Sequence, residues 1–378
     1  MRFPEFSGEW ENLSLNDIVL EKKKRVPPST LTTSTYISTE NMLQNFAGVS
    51  EAGGVPSNNV VEYKIGDILI SNIRPYLKKI WLANQNGGCS SDIIVLSPCE
   101  NYDGSFVYYL LANDSFISYV MSGAKGLKMP RGDKWQILKY GISIPSLKEQ
   151  RKIAMLLDLL DQRIETQKKI IEKYESLIRG LITNVNTGRI AQCKSICLRD
   201  LLAEQHEKNI NNYEVCSVSV SQGVINQIDY LGRSFAAKEV SHYNVVNCGD
   251  IVYTKSPTGE FPYGIVKRSG ITKPVAVSPL YGVYRPINDY VGRYLHLYFK
   301  SPINAKNYLH KLIQKGAKNT INITNQHFLD NIILIPEKGW LEKIVNFAAA
   351  LEMKIATENK VLKLLQQQKD YLLSKMFI

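Results

Sequence analysis

The sequence predicts an α+β protein. It should have two mixed globular domains and two long helices forming an intramolecular antiparallel coiled coil, all related by a pseudo-two-fold repeat. Three observations carry this prediction. The chain of 378 residues repeats itself, each copy ends in a helix-period stretch with an apolar heptad seam, and the remainder alternates short strand-like runs with Gly/Pro turns.

The repeat comes first. At an offset of 183, Glu11-Asn12-Leu13-Ser14-Leu15-Asn16-Asp17-Ile18-Val19 faces Lys194-Ser195-Ile196-Cys197-Leu198-Arg199-Asp200-Leu201-Leu202, and Gly66-Asp67-Ile68-Leu69 faces Gly249-Asp250-Ile251-Val252. The offset grows to 193 where Gly123-Ala124-Lys125 meets Gly316-Ala317-Lys318, then settles at 191 from Ile144-Pro145 and Ile335-Pro336 onward. Two units result, about 1–185 and 186–378, with divergent middles at about 20–120 and 203–310.

The helices follow. Ile153, Leu157, Leu160, Ile164, Gln167, Ile171, Tyr174, Ile178 and Leu181 step by four and three. Ile344, Ala348, Leu351, Ile355, Glu358, Leu362, Leu365, Lys369, Leu372 and Met376 repeat the pattern 191 residues later. A strict seven-residue period implies left-handed supercoiling on a partner helix. The predicted helices, 148–183 and 340–377, are each about 55 Å long. Pro145 and Pro336 stand where proline is tolerated before a helix, and Gly188 is placed to end the first. Gln167 and Glu358 break the seam at one register, as polar seam residues that fix pairing do; the alternative is a solvated irregularity. The domain boundaries are therefore 1–147, 148–185, 186–339 and 340–378.

Within the globular parts, strands are predicted at Ile68–Ser71, Asp92–Leu96, Asp250–Thr254 and Tyr281–Tyr284. Ile142–Ile144 and Asn331–Ile335 lead as strands into the long helices. Single helices are predicted at Ser105–Val120 and Val291–Gln314 from their apolar spacing.

Composition narrows the function. With 46 Lys+Arg against 35 Asp+Glu the net charge is +11, which favours a polyanionic partner without proving one. Residues 1–147 hold 14 basic and 14 acidic side chains, whereas 184–339 hold 18 and 11. A nucleic-acid reading thus needs local patches in the first region. The first fifteen residues do not read as a signal peptide, and no apolar run is long enough to span a membrane. Cys89, Cys99, Cys193, Cys197, Cys216 and Cys248 lack zinc-site spacing and read as reduced thiols of a cytoplasmic protein; Cys193 and Cys197 could share a helix face.

Catalytic patterns are missing. The sequence has no phosphate-cradling Gly-rich loop, no His-Glu-x-x-His, no Gly-x-Ser-x-Gly elbow and no Asn/Asp-Pro-Pro-aromatic motif, which disfavours a self-sufficient enzyme or a lone endonuclease. Basic and polar side chains on turns remain. In the first unit they are Lys22, Lys23, Lys24 and Arg25, then Asn72, Arg74, Tyr76 and Lys78, then Lys125, Lys128 and Arg131. In the second they are Lys255, Thr258, Lys267, Arg268, Lys315, Lys318 and Asn319. Arg and Asn can bond base edges bidentately, and lysines neutralise phosphates. The competing reading of each patch is a solvated face, and of the whole chain a coiled-coil scaffold or protein-interaction module without sequence-specific DNA reading.

With these residues in view, the chain resembles the specificity subunits of type I restriction–modification systems. The resemblance rests on Phe3-Pro4-Glu5-Phe6-Ser7-Gly8-Glu9-Trp10, Gly66-Asp67-Ile68-Leu69, Ile144-Pro145-Ser146-Leu147-Lys148-Glu149-Gln150-Arg151-Lys152-Ile153 and Leu364-Leu365-Gln366-Gln367-Gln368-Lys369. It implies a non-catalytic reader of double-stranded DNA, with two target-recognition domains for the halves of a bipartite asymmetric sequence. It also implies spacer helices that dock two modification subunits, which carry S-adenosylmethionine and methylate adenine. Restriction subunits would add translocation and cleavage with ATP and Mg. No cofactor, metal or catalytic residue is expected on this chain. One departure stands out: the second unit reads Pro336-Glu337-Lys338-Gly339-Trp340-Leu341-Glu342-Lys343, without the Glu-Gln pair. This predicts a later helix start or a different partner contact there.

Overall fold

The computed structural model describes residues 2–232, 239–315 and 321–377, with backbone alone at 231, 314, 315, 321 and 322. The chain divides into two compact units, residues 1–169 with 359–378, and residues 170–358. Each unit therefore takes half of each long helix, with the division falling just beyond Gln167 and Glu358.

In the first unit, Glu11–Ser14 pairs antiparallel with Gly141–Ile144, Glu11 opposite Ile144. A four-stranded sheet follows in the order Val19–Glu21, Ile93–Pro98, Ile68–Ser71, Ile80–Leu82. Its strands are rich in Ile, Val and Leu, as strands covered on both faces should be. One face packs on Phe106, Leu110 and Phe116 in the main core. The other, with Leu69, Trp81 and Val95, packs on Ile37, Tyr63 and Cys89 of a second sheet, ordered Arg25–Val26, Val60–Tyr63, Gly87–Cys89, Tyr36–Ile37.

The second unit repeats the first pair and the four-stranded sheet of this plan. Cys193–Cys197 pairs with Ile332–Pro336, Lys194 opposite Ile335, the positions equivalent to Glu11 and Ile144. Its four-stranded sheet runs Leu202–Glu204, Gly282–Pro286, Ile251–Tyr253, Val266–Arg268. Ile68 opposes Leu96, and the equivalent Ile251 opposes Tyr284. Cys193 and Cys197 thus lie on a strand, not on a helix face, and both are free thiols. The units differ where the sequence diverges. In place of the second sheet stand two strand pairs, Cys216–Ser219 with Gly223–Asn226 and Asn244–Val246 with Val275–Val277.

The repeated Gly-Asp proves to be a structural turn. Gly66 and Gly249 adopt φ of 87° and 91°, a left-handed conformation that glycine takes without strain. The buried Asp67 and Asp250 each accept the backbone N–H three residues earlier, from Lys64 at 2.7 Å and Asn247 at 2.8 Å. Lys22 Nζ also reaches Asp67, at 2.8 Å, and Arg285 Nε reaches Asp250, at 3.2 Å.

Each helix predicted in the globular parts is broken in two. Gly104–Leu111 and Asp114–Ser122 replace Ser105–Val120, and Asp289–Lys300 and Pro302–His310 replace Val291–Gln314. Capping is the reason. Asn113 and Ser301 accept the N–H of Phe116 and Asn304, and Pro302 at the first helical position cannot continue the preceding helix.

The long helices span Leu147–Asn186 and Lys338–Met376. Gly339 does not delay the second helix, so that expectation is corrected. The pairing is antiparallel. In the first unit, Ile153 and Leu157 share a core with Leu373 and Met376, whereas Leu160 and Ile164 pack with Leu365 and Leu362. Lys369 Nζ bonds both oxygens of Asp161, at 2.6 and 2.8 Å. In the second unit, Ile178 and Ile182 share a core with Ile344, Ala348 and Leu351, with Tyr174 and Ile355 at its margin.

The buried stripe departs from the heptad at its far ends. Ile182 and Leu373 are buried, whereas the predicted seam residues Leu181 and Leu372 are half-buried. Both shifts follow from geometry. Four heptads advance 28 residues, but eight turns of an undistorted helix take 28.8, so the inward position slips by one residue. Gln167 is buried, and Ile171 closes the stripe on its side.

Candidate nucleic-acid interface

Three segments distant in sequence meet at one edge of the first unit. After Ser71 the chain leaves its strand, and Asn72 N–H donates to Asp92 O at 2.9 Å. The Lys125–Arg131 loop folds back as a hairpin, closed by reciprocal N–H···O bonds of 2.9 Å between Lys125 and Arg131. It is fastened to the first segment by Arg74 N–H to Pro130 O at 2.7 Å and Gly132 N–H to Asn72 O at 3.1 Å. The groups singled out as Asn72, Arg74, Lys125, Lys128 and Arg131 are thereby brought together.

The backbone at this edge is strained. Arg74 (φ 50°) and Lys78 (φ 54°) are left-handed at the two ends of the turn Pro75–Leu77. Non-glycine residues held there cost on the order of 1 kcal/mol each, so the surrounding bonds must impose the shape. Those bonds include Asn45 N–H to Leu77 O and Phe46 N–H to Lys78 O. Asn72 Oδ1 and Arg74 Nε are buried with no hydrogen-bond partner among the described residues. Tyr76 is exposed, and Lys78 Nζ is paired with Asp114 at 2.6 Å.

Most cations here already have carboxylate partners. Lys125 pairs with Asp133 at 3.4 Å and Arg131 with Asp92 at 3.1 Å, while Lys128 is exposed. The Lys22–Arg25 run is not one patch. Lys22 serves the Asp67 turn, Lys23 pairs with Glu21, Lys24 pairs with Glu62 at 3.0 Å, and Arg25 stands exposed. The Lys24 ammonium holds the Glu62 carboxyl below its ordinary range. Lys24 and Lys125 are themselves exposed although Glu62 and Asp133 are half-buried, so these cations can swing to phosphate at modest cost. Lys22 cannot, because that would leave the buried Asp67 without its ammonium.

In the second unit the equivalent edge carries a hairpin where Thr258 and Phe261 exchange backbone bonds of 3.1 and 2.9 Å, with Lys255 and Thr258 exposed. Gln314–Lys315 pairs with Ile321–Asn322, Lys315 opposite Ile321, the same six-residue closure as Lys125 opposite Arg131. Lys318 and Asn319 lie outside the described residues.

Lys267 and Arg268 do not belong with this set. Lys267 is buried, and burial together with the nearby Lys300 pushes its amine down to about 8. A lysine so enclosed cannot meet a phosphate. Arg268 turns to Asp289, and its N–H donates to Nδ1 of His296 at 3.3 Å. The sequence offered no signal for this, because Lys267 lies between a core valine and an arginine on a strand.

Sequence reasoning also missed a joint at the start of the first long helix. Glu149 and Gln150 are both buried. Arg2 clamps Glu149 with two bonds, 2.8 and 2.7 Å, and Gln150 accepts Asp103 N–H at 3.0 Å while donating to Pro145 O at 2.9 Å. Lys152 lies over the rings of Phe3 and Phe6 and pairs with Glu5. The two sequence blocks at 3–10 and 144–153 are one contact. In the second unit Trp340 and Leu341 take the places of Glu149 and Gln150, and a surface groove of about 830 Å³ opens between Trp340 and the stretch with Gly188, Ile190 and Ala191.

Among the described residues there is no cluster of His, Cys, Asp and Glu suited to a metal, and no helix long and apolar enough to cross a membrane.

Comparison with known proteins agrees with this architecture. Residues 7–176 match the family described as type I restriction modification DNA specificity domain. The chain is 23% identical over 124 residues to the type I restriction enzyme EcoDI specificity subunit of Escherichia coli, covering 33% of this chain and 28% of that protein. It is 24% identical over 183 residues to the HindI specificity subunit of Haemophilus influenzae, covering 46% of this chain and 40% of that one. The chain thus matches less than half the length of these relatives. Its fold is similar to the crystal structure of the type-I restriction-modification system S subunit from M. genitalium, with a TM-score of 0.61 and 15% identity, over 100% of this chain and 99% of that one.

Proposed function

From the match of residues 7–176 to the type I restriction modification DNA specificity domain family, we propose that the whole chain is the DNA-recognition subunit of a type I restriction–modification complex. It reads a bipartite, asymmetric duplex sequence, one half with residues 1–147 and the other with 186–339. Residues 148–185 and 340–378 act as spacer helices and present docking surfaces to two modification subunits and to restriction subunits. The chain itself is non-catalytic. S-adenosylmethionine belongs on the modification subunits, and ATP and Mg on the restriction subunits, in the cytoplasm.

One observation supports this reading above the others: the two units share a strand register, and each closes a lysine-bearing segment by backbone pairing six residues apart, Lys125 with Arg131 and Lys315 with Ile321. A scaffold would have no need of two such segments. Base edges differ fully in the major groove, so two modest readers on one chain can specify a long site by acting together. Arg131, Lys128 and Lys125 in one unit, and Lys255 with Lys315, Lys318 and Asn319 in the other, are the groups proposed to face DNA, with Asn72, Arg74 and Tyr76 at the base edges.

Methylome sequencing of host cells with and without the gene tests the proposal. A bipartite adenine-methylation motif that disappears on deletion is expected. An unchanged methylome, with no methyltransferase copurifying with the chain, would refute it.

A further inference from the structure

The Lys125–Arg131 hairpin carries an apolar tip on a basic stem. Leu127 at the tip is wholly exposed and Met129 is half exposed. Neither belongs to a core, so the fold gives no reason for a leucine there. The stem is fixed. Lys125 and Arg131 exchange two backbone bonds, Arg74 N–H holds Pro130 O, and Pro130 is buried. Gly126 (φ 99°) turns the chain tightly against Met129 O, so the tip is held out from the domain instead of folding back.

Chemistry identifies what such a tip meets. Lys125, Lys128 and Arg131 surround it, and the two that are paired are themselves exposed, each held by one half-buried carboxylate that a phosphate can replace. One leucine and one methionine are too small an apolar patch to anchor a protein partner, and a ring of cations around them would oppose burial in one. Duplex DNA accepts both parts: phosphates take the cations, and an apolar side chain can enter between stacked bases.

We propose that this hairpin is a wedge: Leu127, backed by Met129, enters a base step of the first half-site from the minor groove, while Lys128, Lys125 and Arg131 hold the flanking phosphates. The inference rests on the DNA-reading function above and adds a mode to it. The first unit would recognise its half-site partly through how readily one step unstacks, which favours flexible pyrimidine–purine steps. A wedge also suits a domain without net charge, since it adds contact that bulk field does not supply.

The test uses the full chain with its copurified modification subunits and duplexes bearing the methylome-derived site. 2-Aminopurine is walked through the first half-site at positions other than the methylated adenine. For the parent protein, fluorescence should rise several-fold at one step on binding. Leu127→Ala should abolish that rise and weaken binding about tenfold, with an unchanged salt slope, because no charge is lost. Leu127→Phe should restore the rise. Lys128→Ala should do the converse, keeping the fluorescence and lowering the salt slope by about one. Leu127 touches no core, so these variants keep the fold. A parent protein that unstacks no step, or a Leu127→Ala protein with full signal and affinity, overturns the wedge while leaving the DNA reading intact. Binding that does not distinguish the site from scrambled duplex overturns the reading itself.

Discussion

Shortening single side chains at the far ends of the long helices should distinguish an undistorted helix from a strict heptad coil. The structure places Ile182 and Leu373 inside, one residue beyond the heptad positions Leu181 and Leu372, which are half-buried. Truncating a buried isoleucine or leucine to alanine removes three carbons, worth about 0.8 kcal/mol each in transfer, and leaves a cavity. Ile182→Ala and Leu373→Ala should therefore each cost about 3 kcal/mol. Leu181→Ala and Leu372→Ala, with roughly half the area to lose, should cost about 1 kcal/mol. The difference of about 2 kcal/mol corresponds to a melting-temperature gap of about 4–8 °C for units of this size. Scanning calorimetry of the four variants reads it directly, with urea midpoints as the isothermal check. The two pairs lie in different units, so each tests the geometry independently. Should Leu181→Ala cost as much as Ile182→Ala, and Leu372→Ala as much as Leu373→Ala, the one-residue slip is wrong and the helices follow the 3.5 period.

Other substitutions probe separate features. Burial, reinforced by the positive charges of Lys267, Lys300 and Arg268, holds the His296 imidazole down at about 3, far below its ordinary 6.5. The unfolded chain then binds the extra proton between those values, so stability is full above pH 6.5 and falls as pH drops, by about 2 kcal/mol between 6.5 and 5. His296→Asn, which keeps an acceptor for Arg268 N–H, should flatten that slope in urea titrations at several pH values. Lys267 works the same way at higher pH. Its depressed pKa predicts that stability rises between about 8 and 10.5, and that Lys267→Met removes the rise and stabilises the protein at pH 7 by at most about 3 kcal/mol. Gly264 stands at φ 103°, where a Cβ would lie 1.9 Å from Thr254 O, so Gly264→Ala should cost 2 kcal/mol or more and loosen the 254–265 hairpin, visible in its amide hydrogen exchange. Inserting one heptad into each long helix at equivalent positions lengthens each by about 10 Å and should change the count of unread base pairs by about three, with both half-sequences kept in the methylome.

How far the sequence led depended on whether neighbours in sequence were also neighbours in space. The repeat, the strands beside Gly66-Asp67 and Gly249-Asp250, and the long helices were legible because short periodic patterns encode them. The breaks at Asn113 and Ser301 were legible in principle: a cap followed by an acidic residue or a proline ends one helix and starts the next. What could not be read is pairing between distant residues. Nothing in Lys22-Lys23-Lys24 says that three carboxylates answer those lysines, and nothing in Val266-Lys267-Arg268 says which side chain turns inward. The exposed Leu127 was likewise invisible, since a leucine in a loop ordinarily packs.

The two units keep one backbone and differ in what is attached to it, and the physics separates the two kinds of residue. The parts that repeat are those the backbone cannot do without: a glycine at positive φ, an aspartate accepting an N–H three residues back, a strand register that keeps one face inward. A change at Gly66 or Asp250 would strain the turn or orphan a buried donor, whatever the loops do. The parts that differ, such as Glu149-Gln150 against Trp340-Leu341, sit where the backbone tolerates either. In the first unit, Arg2 and Asp103 satisfy the buried polar pair, and the N-terminal segment is tied down. In the second, Leu341 needs no such partner, and Trp340 stays half-exposed above an open groove. One unit therefore presents a closed, hydrogen-bonded helix start and the other an apolar, open one. Two copies of a single partner could not make identical contacts with both. With the modification subunits proposed above docking at these helix starts, the assembly should be asymmetric there, and Glu149→Ala should weaken attachment of one copy selectively, read as a change in stoichiometry by native mass spectrometry. Equal loss of both copies would show that the two helix starts are used alike.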